Sequence, residues 1–216
     1  KAAILFGESS GGTITEIGTG VLPYFRRVAT IPFNYDCAHG PQGELFVSAP
    51  GKGSGTNAVH LVDSQGGTDV LIQVPGASGP LAVTPAGDLL LGLVSATWPP
   101  PPASARILRF PYAKVLSARG PGHLTGKDGT VVLAGLDGVH DLALDGRGAL
   151  CFRMTGRKRI MARLGGRLLT LYTGGRATPT QVDFVPGPGP ALFHPWQPAG
   201  AGTLLALSTD FASTAK

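Results

Sequence analysis

The sequence predicts an all-β chain, and three observations carry that expectation. Apolar runs of about four to eight residues, rich in Leu, Val and Thr, are punctuated throughout by Gly and Pro. The 216 residues include 33 Gly and 19 Pro, with only 14% charged residues, as many short strands joined by many turns require. A hairpin-like unit recurs along the chain. No stretch has the periodicity of an amphipathic helix, so none is expected. With 43% hydrophobic residues and a mean hydropathy of +0.17, the chain is not of disordered composition.

The clearest copy of the unit is Val139–Arg153. Leu142 and Leu144 alternate with Ala143 and Asp145, giving one more apolar face. Asp145-Gly146 then offers the left-handed backbone that a tight hairpin needs. The next run, Ala149 to Arg153, starts almost wholly apolar, as a strand covered on both faces does. A lone hairpin buries too little surface to be stable, so the unit needs neighbours of its own kind.

Such neighbours exist. Pro80–Leu93 and Asp36–Val47 repeat the unit, and a fourth copy is built from Thr180–Val185 and Gly202–Ser208. A second pair of strands follows each hairpin. Ala58–Leu71 is the clearest pair, Arg159–Leu171 another, and Ala2–Thr15 repeats its Gly-Gly-Thr turn. In the remaining unit Arg106–Tyr112 and Gly129–Gly135 take that place. The chain therefore reads as one domain, residues 1–216: a small β-propeller of four-stranded antiparallel blades. Its first strands and its last would share a closing blade, which removes free sheet edges. Four blades are expected, or five if Ala191–Trp196 is itself a strand. A ring completed by another chain, and a homo-oligomer, are further expectations of the repeat count.

Four stretches read as loops longer than the repeat needs: Thr19–Asn34, Ala96–Ser104 with Trp98 and four consecutive prolines, Ala118–Asp128, and Gly187–Ala201 with His194 and Trp196. Loops on rigid scaffolds often carry binding residues.

No apolar run approaches the roughly 18 residues of a membrane span. The sequence starts at Lys rather than Met and shows no signal peptide. A processed or trimmed soluble form is expected, extracytoplasmic if a targeting segment has been removed. Cys37 and Cys151 fall at different points of the repeat, which predicts unpaired thiols inside strands. The formal charge of +5 suits solubility or an anionic partner.

The unit Val139–Thr173 resembles an NHL-type repeat and the blades of the gluconolactonase/regucalcin group. It has their apolar strand, Asp-x-x-Gly turn, apolar-aromatic strand and following strand pair. Gly40–Val47 is similar to segments of streptogramin lyase. The resemblance implies a β-propeller; it would imply a divalent cation in the central channel only if Glu, Asn and Asp ligands converge there. The chain departs from that pattern, with 13 acidic residues in all and His140 where an Asp would stand.

In such a fold the first strand of each blade lines the channel. Alignment of the units places Tyr35-Asp36, Gly79-Pro80, His140-Asp141 and Thr180-Gln181 at equivalent leading ends. Asp36, His140, Asp141 and Gln181 could form a polar pocket or a metal site, or cap backbone amides at strand ends. No Gly-x-Ser-x-Gly elbow, His-Glu-x-x-His or Cys-x-x-Cys motif is present. The densest charge, Arg153, Arg157, Lys158, Arg159, Arg163 and Arg167, reads as the exposed side of an outer strand or as an anion-binding patch. Few aromatics accompany it, which argues against nucleic acid.

These residues point to a non-catalytic binding module with no cofactor. Tyr35, Asp36, Trp98, His140, Asp141, Gln181 and Trp196 would meet a protein or carbohydrate partner. The alternative is a metal-dependent hydrolase, lactonase or lyase using Asp36, His140 and Asp141 at the channel mouth, with a divalent cation.

Overall fold

The computed structural model describes residues 3–7, 11–18, 24–97, 100–120, 122–145, 148–154, 158–173, 178–184, 191–196 and 205–207. They form eighteen strands in five antiparallel sheets, with one short helix. Sheet I contains β1 (Ala3–Gly7), β2 (Thr13–Gly18) and β3 (Tyr24–Thr30). Sheet II contains β4 (Asp36–His39), β5 (Leu45–Pro50), β6 (Thr56–Val62) and β7 (Thr68–Pro75). Sheet III contains β8 (Leu81–Val83), β9 (Leu89–Leu93), β10 (Ala105–Phe110) and β11 (Thr130–Leu136). Sheet IV contains β12 (Asp141–Leu144), β13 (Leu150–Met154), β14 (Arg159–Leu164) and β15 (Arg167–Thr173). Sheet V contains β16 (Thr178–Phe184), β17 (Ala191–Trp196) and β18 (Leu205–Leu207).

Within every sheet the strands follow chain order, each hydrogen-bonded to the next. The turns explain why. Gly40–Glu44, Asp63–Gly67, Thr84–Asp88 and Asp145–Ala149 are one five-residue turn repeated. The first residue's N–H donates to the fifth residue's carbonyl, and the fourth residue's N–H donates back to the first. The fourth residue is always glycine, with φ of 88°, 83°, 90° and 81° at Gly43, Gly66, Gly87 and Gly148. Only glycine adopts that conformation at no steric cost. Asp63 and Asp145 tighten their turns by accepting a backbone N–H from the fifth residue. The left-handed glycine found in the Asp145 turn is therefore Gly148; Gly146, the residue expected there, lies outside the described residues.

The second strand of each full sheet is the most buried. Every residue of β9 and β13 is buried, and five of six in β5 are. These strands have a neighbouring sheet on both faces, so they carry no alternating polar set. The core accordingly comes in layers between sheets. Phe46, Leu71, Leu89 and Phe110 fill one between sheets II and III. Ile107, Leu142, Leu150 and Phe152 fill the next, between III and IV. Ile14, Ala29 and Val47 join I to II.

Several expectations are corrected. Thr19–Asn34 is not a loop throughout, because Tyr24–Thr30 is β3 and pairs with β2. A bulge at Ile14/Thr15 matches those between β6 and β7, β10 and β11, and β14 and β15. β2 and β3 are thus the outer pair of sheet I, and Ala3–Gly7 is a second strand rather than a third. Among the described residues β1 and β18 belong to two different three-stranded sheets, I and V. Ala191–Trp196 is a strand, so the five-sheet count applies, and the second strand after β16 is β17 rather than Gly202–Ser208. A helix, α1 (Tyr112–Ser117), starts after Pro111 and buries only Val115. One turn with a single apolar anchor leaves no periodicity to detect. After it, Leu124 pairs alongside β7, fastening the connection to sheet II.

Candidate functional site

The first strands β4, β8, β12 and β16 lie side by side. Their leading ends bring Tyr35-Asp36, Gly79-Pro80 and His140-Asp141 to one mouth. Sheet III places Gly79-Pro80 there, and Gly79 has no side chain. Ser48, fully buried, donates from Oγ to the Gly79 carbonyl at 2.5 Å. A Cβ on Gly79 would collide with the Gly92 carbonyl oxygen. With that flank kept low, Tyr35 of sheet II reaches across to sheet IV.

The Tyr35 hydroxyl donates to the His140 carbonyl at 2.9 Å and lies 3.1 Å from His140 Nδ1. One hydroxyl carries one proton. With that proton on the carbonyl, Nδ1–H donates to the tyrosine oxygen and Nε2 keeps a lone pair. Nε2 is buried and has no hydrogen-bond partner among the described residues. Burial, and then the charge of Arg153, hold His140 down at about 4, so the imidazole is neutral at pH 7. Burial also pushes the Tyr35 phenol well above its ordinary value. Asp141 and Asp36 push the same way, and Arg153 opposes them.

Arg153 is the member that sequence reasoning misplaced. It was grouped with the exposed basic run, yet it is only 8% exposed, on β13 directly opposite Asp141. Among the described residues its Nε is buried without a hydrogen-bond partner, and burial lowers its affinity for the proton. The signal was available: Arg153 is the one charge in the otherwise apolar strand Leu150–Met154. The rest of the run divides. Lys158 and Arg167 are exposed, Arg159 and Arg163 are half-buried, and Arg157 lies outside the described residues.

The carboxylates bind backbone. Asp36 accepts the Cys37 N–H on Oδ1 at 2.8 Å and the Leu81 N–H on Oδ2 at 2.7 Å, which ties sheet II to sheet III. Asp141 accepts the Leu142 N–H at 3.0 Å. Among the described residues no group of three or more His, Cys, Asp or Glu converges as a cation site would require. The described donor set therefore does not fit a divalent cation. Cys37 and Cys151 are free thiols, raised by burial to about 11 and about 12 and so protonated at neutral pH.

Gln181 lies on β16 opposite His194, and Trp196 ends β17 opposite Thr178. Trp98 lies outside the described residues. A further residue at the mouth was not foreseen. In the turn Ile31-Pro32-Phe33-Asn34, the Asn34 N–H donates to the Ile31 carbonyl at 3.2 Å. Phe33 holds φ of 56° and is 62% exposed. Glycine or asparagine normally fills that turn position. Phe33 and Tyr35, the latter 43% exposed, are two exposed aromatics two residues apart in sequence at the leading end of β4.

No family model matches the chain. No curated protein matches it either. Solved structures do. A gluconolactonase from Xanthomonas campestris is similar at 14% identity and a TM-score of 0.63, over 95% of this chain and 72% of that one. A streptogramin B lyase is similar at 13% identity and 0.54, over 96% of this chain and 66% of that one. A chain of the nidogen/laminin complex is similar at 13% identity and 0.50, over 95% and 89%. The chain thus spans just under two thirds of the lyase. These likenesses define the class: an all-β propeller fold with NHL/gluconolactonase-like blades. At such identities they establish the fold alone. No helix among the described residues is long and apolar enough to cross a membrane.

Proposed function

We propose that the chain is a non-catalytic binding module whose mouth receives a hydroxyl-bearing ligand, such as a carbohydrate or a polar protein loop. One observation supports this above the others. Among the described residues the mouth offers a buried acceptor without a hydrogen-bond partner, His140 Nε2, and a buried donor without one, Arg153 Nε. A ligand hydroxyl can satisfy both kinds of group, and a buried polar atom left unpaired costs about 1–3 kcal/mol. The exposed rings of Phe33 and Tyr35 would cover an apolar sugar face or side chain. Trp98, Gln181 and Trp196 are proposed as further contacts on sequence grounds.

A second reading has an observation of its own. A neutral histidine with a free Nε2 can act as a general base, so a hydrolase or lyase built on Asp36, His140 and Asp141 is the competing proposal. Two of the structures similar in fold are a gluconolactonase and a streptogramin B lyase. Thermal-shift titration with Ca²⁺, Mg²⁺ and Mn²⁺, alongside hydrolysis assays on lactones and esters, separates the two. The binding module shows no metal-dependent stabilisation and no turnover, and a saccharide panel stabilises it unless His140→Gln is present. Turnover, or a metal-dependent rise in Tm that Asp141→Ala abolishes, overturns the reading.

A further inference from the structure

We infer that a second site, at the opposite end of the sheets from the mouth, binds an amphiphilic monoanion with a carboxylate head and an apolar body. The hairpin turns Thr84–Asp88 and Asp145–Ala149 flank a cleft of about 530 Å³ between sheets III and IV. That volume lies within the usual range for small-molecule pockets.

The floor is apolar. Leu90 and Leu150 are 4% and 5% exposed, and Val132 and Leu144 are partly buried beside them. Two guanidinium groups stand on this floor, Arg109 from sheet III and Arg163 from sheet IV. Their situations differ. Asp88 takes Arg109 through Nε at 2.7 Å and through one terminal nitrogen. Asp88 is itself fixed by the Tyr112 N–H at 2.9 Å, so this pair is charge-neutral and oriented. Arg163 has no acidic partner among the described residues, and no hydrogen bond from its side chain is found there.

The cleft therefore holds two cationic heads and one compensating carboxylate. One positive charge remains, facing apolar side chains. The Arg109–Asp88 pair is already neutral, so a monoanion would compensate the remaining charge of Arg163. A planar carboxylate also matches the guanidinium fork. An apolar body of several carbons would cover Val132 and Leu144, which are only partly buried and which a bare ion leaves wet. Head and body requirements together exclude inorganic anions and neutral alkanols as good ligands. They also explain why only part of the basic run is exposed: Arg163 turns into the cleft, while Arg167 remains at the surface.

The test is calorimetric titration of the intact chain at pH 7 with octanoate, with octanol and acetate as controls. Octanoate is expected to bind with a dissociation constant of about 1 mM or tighter. Octanol and acetate should each bind at least about tenfold more weakly, and affinity for octanoate should fall as NaCl is added. Arg163→Gln should cost about tenfold or more, while Arg167→Gln, at an exposed position on the neighbouring strand, should change little. His140→Gln, at the other end of the sheets, should leave octanoate binding unaltered. The inference is overturned if octanoate does not bind, if octanol binds as tightly, or if Arg163→Gln and Arg167→Gln behave alike.

Discussion

Asp36 is where a catalytic and a structural role predict opposite outcomes. Both its oxygens accept backbone N–H groups, one from its own strand and one from Leu81 in the next sheet. Asp36→Asn keeps the shape but replaces one acceptor with an NH₂ group. One backbone N–H then faces a donor, and the other loses its charged acceptor. Hydrogen bonds to a charged group contribute about 1.5–3 kcal/mol each, and an unsatisfied buried donor costs about 1–3 kcal/mol. The substitution should therefore destabilise the fold by about 2–4 kcal/mol. For a chain of this size that lowers Tm by roughly 4–16 °C. Urea and thermal denaturation followed by circular dichroism measure it. A loss below about 0.5 kcal/mol, the size of an ordinary surface substitution, would refute the reasoning and return Asp36 to the list of groups available for chemistry.

Two more predictions follow from the same mouth. His140 titrates at about 4 in the fold and near 6.5 when unfolded, so its contribution is complete above about pH 6.5 and is lost as pH falls toward 4. After discounting for partial solvent access, urea midpoints at pH 7 and pH 4.5 should show about 1–2 kcal/mol less acid sensitivity in His140→Gln than in the unaltered chain; equal sensitivity would contradict the assignment. Phe33→Gly should raise stability by about 0.5–1 kcal/mol, because left-handed backbone costs a non-glycine residue about 1–2 kcal/mol and glycine forfeits part of that through its unfolded-state entropy. A fall in Tm would show that the Phe33 ring contributes packing that its exposure conceals.

Much of the fold was legible because its signals are local. The turns announce themselves as Gly-bearing polar breaks between apolar runs, although in the Asp145 turn the left-handed residue is Gly148 rather than the expected Gly146, and the doubly covered strands show in Leu89–Leu93 and Leu150–Met154. Tyr24–Thr30 was missed because β3 is an outer strand: five of its seven residues are exposed and two are arginines, so it carries the composition of a loop. Missing it displaced the register of sheet I by one strand. At the mouth, aligning the repeats brought Tyr35, Asp36, His140 and Asp141 together by position. It could not show which groups face one another. That depends on how far Tyr35 reaches over Gly79, and on Arg153 lying opposite Asp141 across β12 and β13. Phe33 was invisible for a related reason, since φ at a turn residue is not written in its side chain.

The convergence of sheets II and IV over Gly79 underlies the whole account of the mouth. Nuclear Overhauser spectroscopy of the intact chain at pH 7 tests it most directly. The account predicts cross-peaks between the ring protons of Tyr35 and His140, residues 105 positions apart in sequence. It also predicts imidazole ¹⁵N shifts of a neutral ring protonated at Nδ1. Absence of those cross-peaks, or a ring protonated at Nε2 alone, would contradict it.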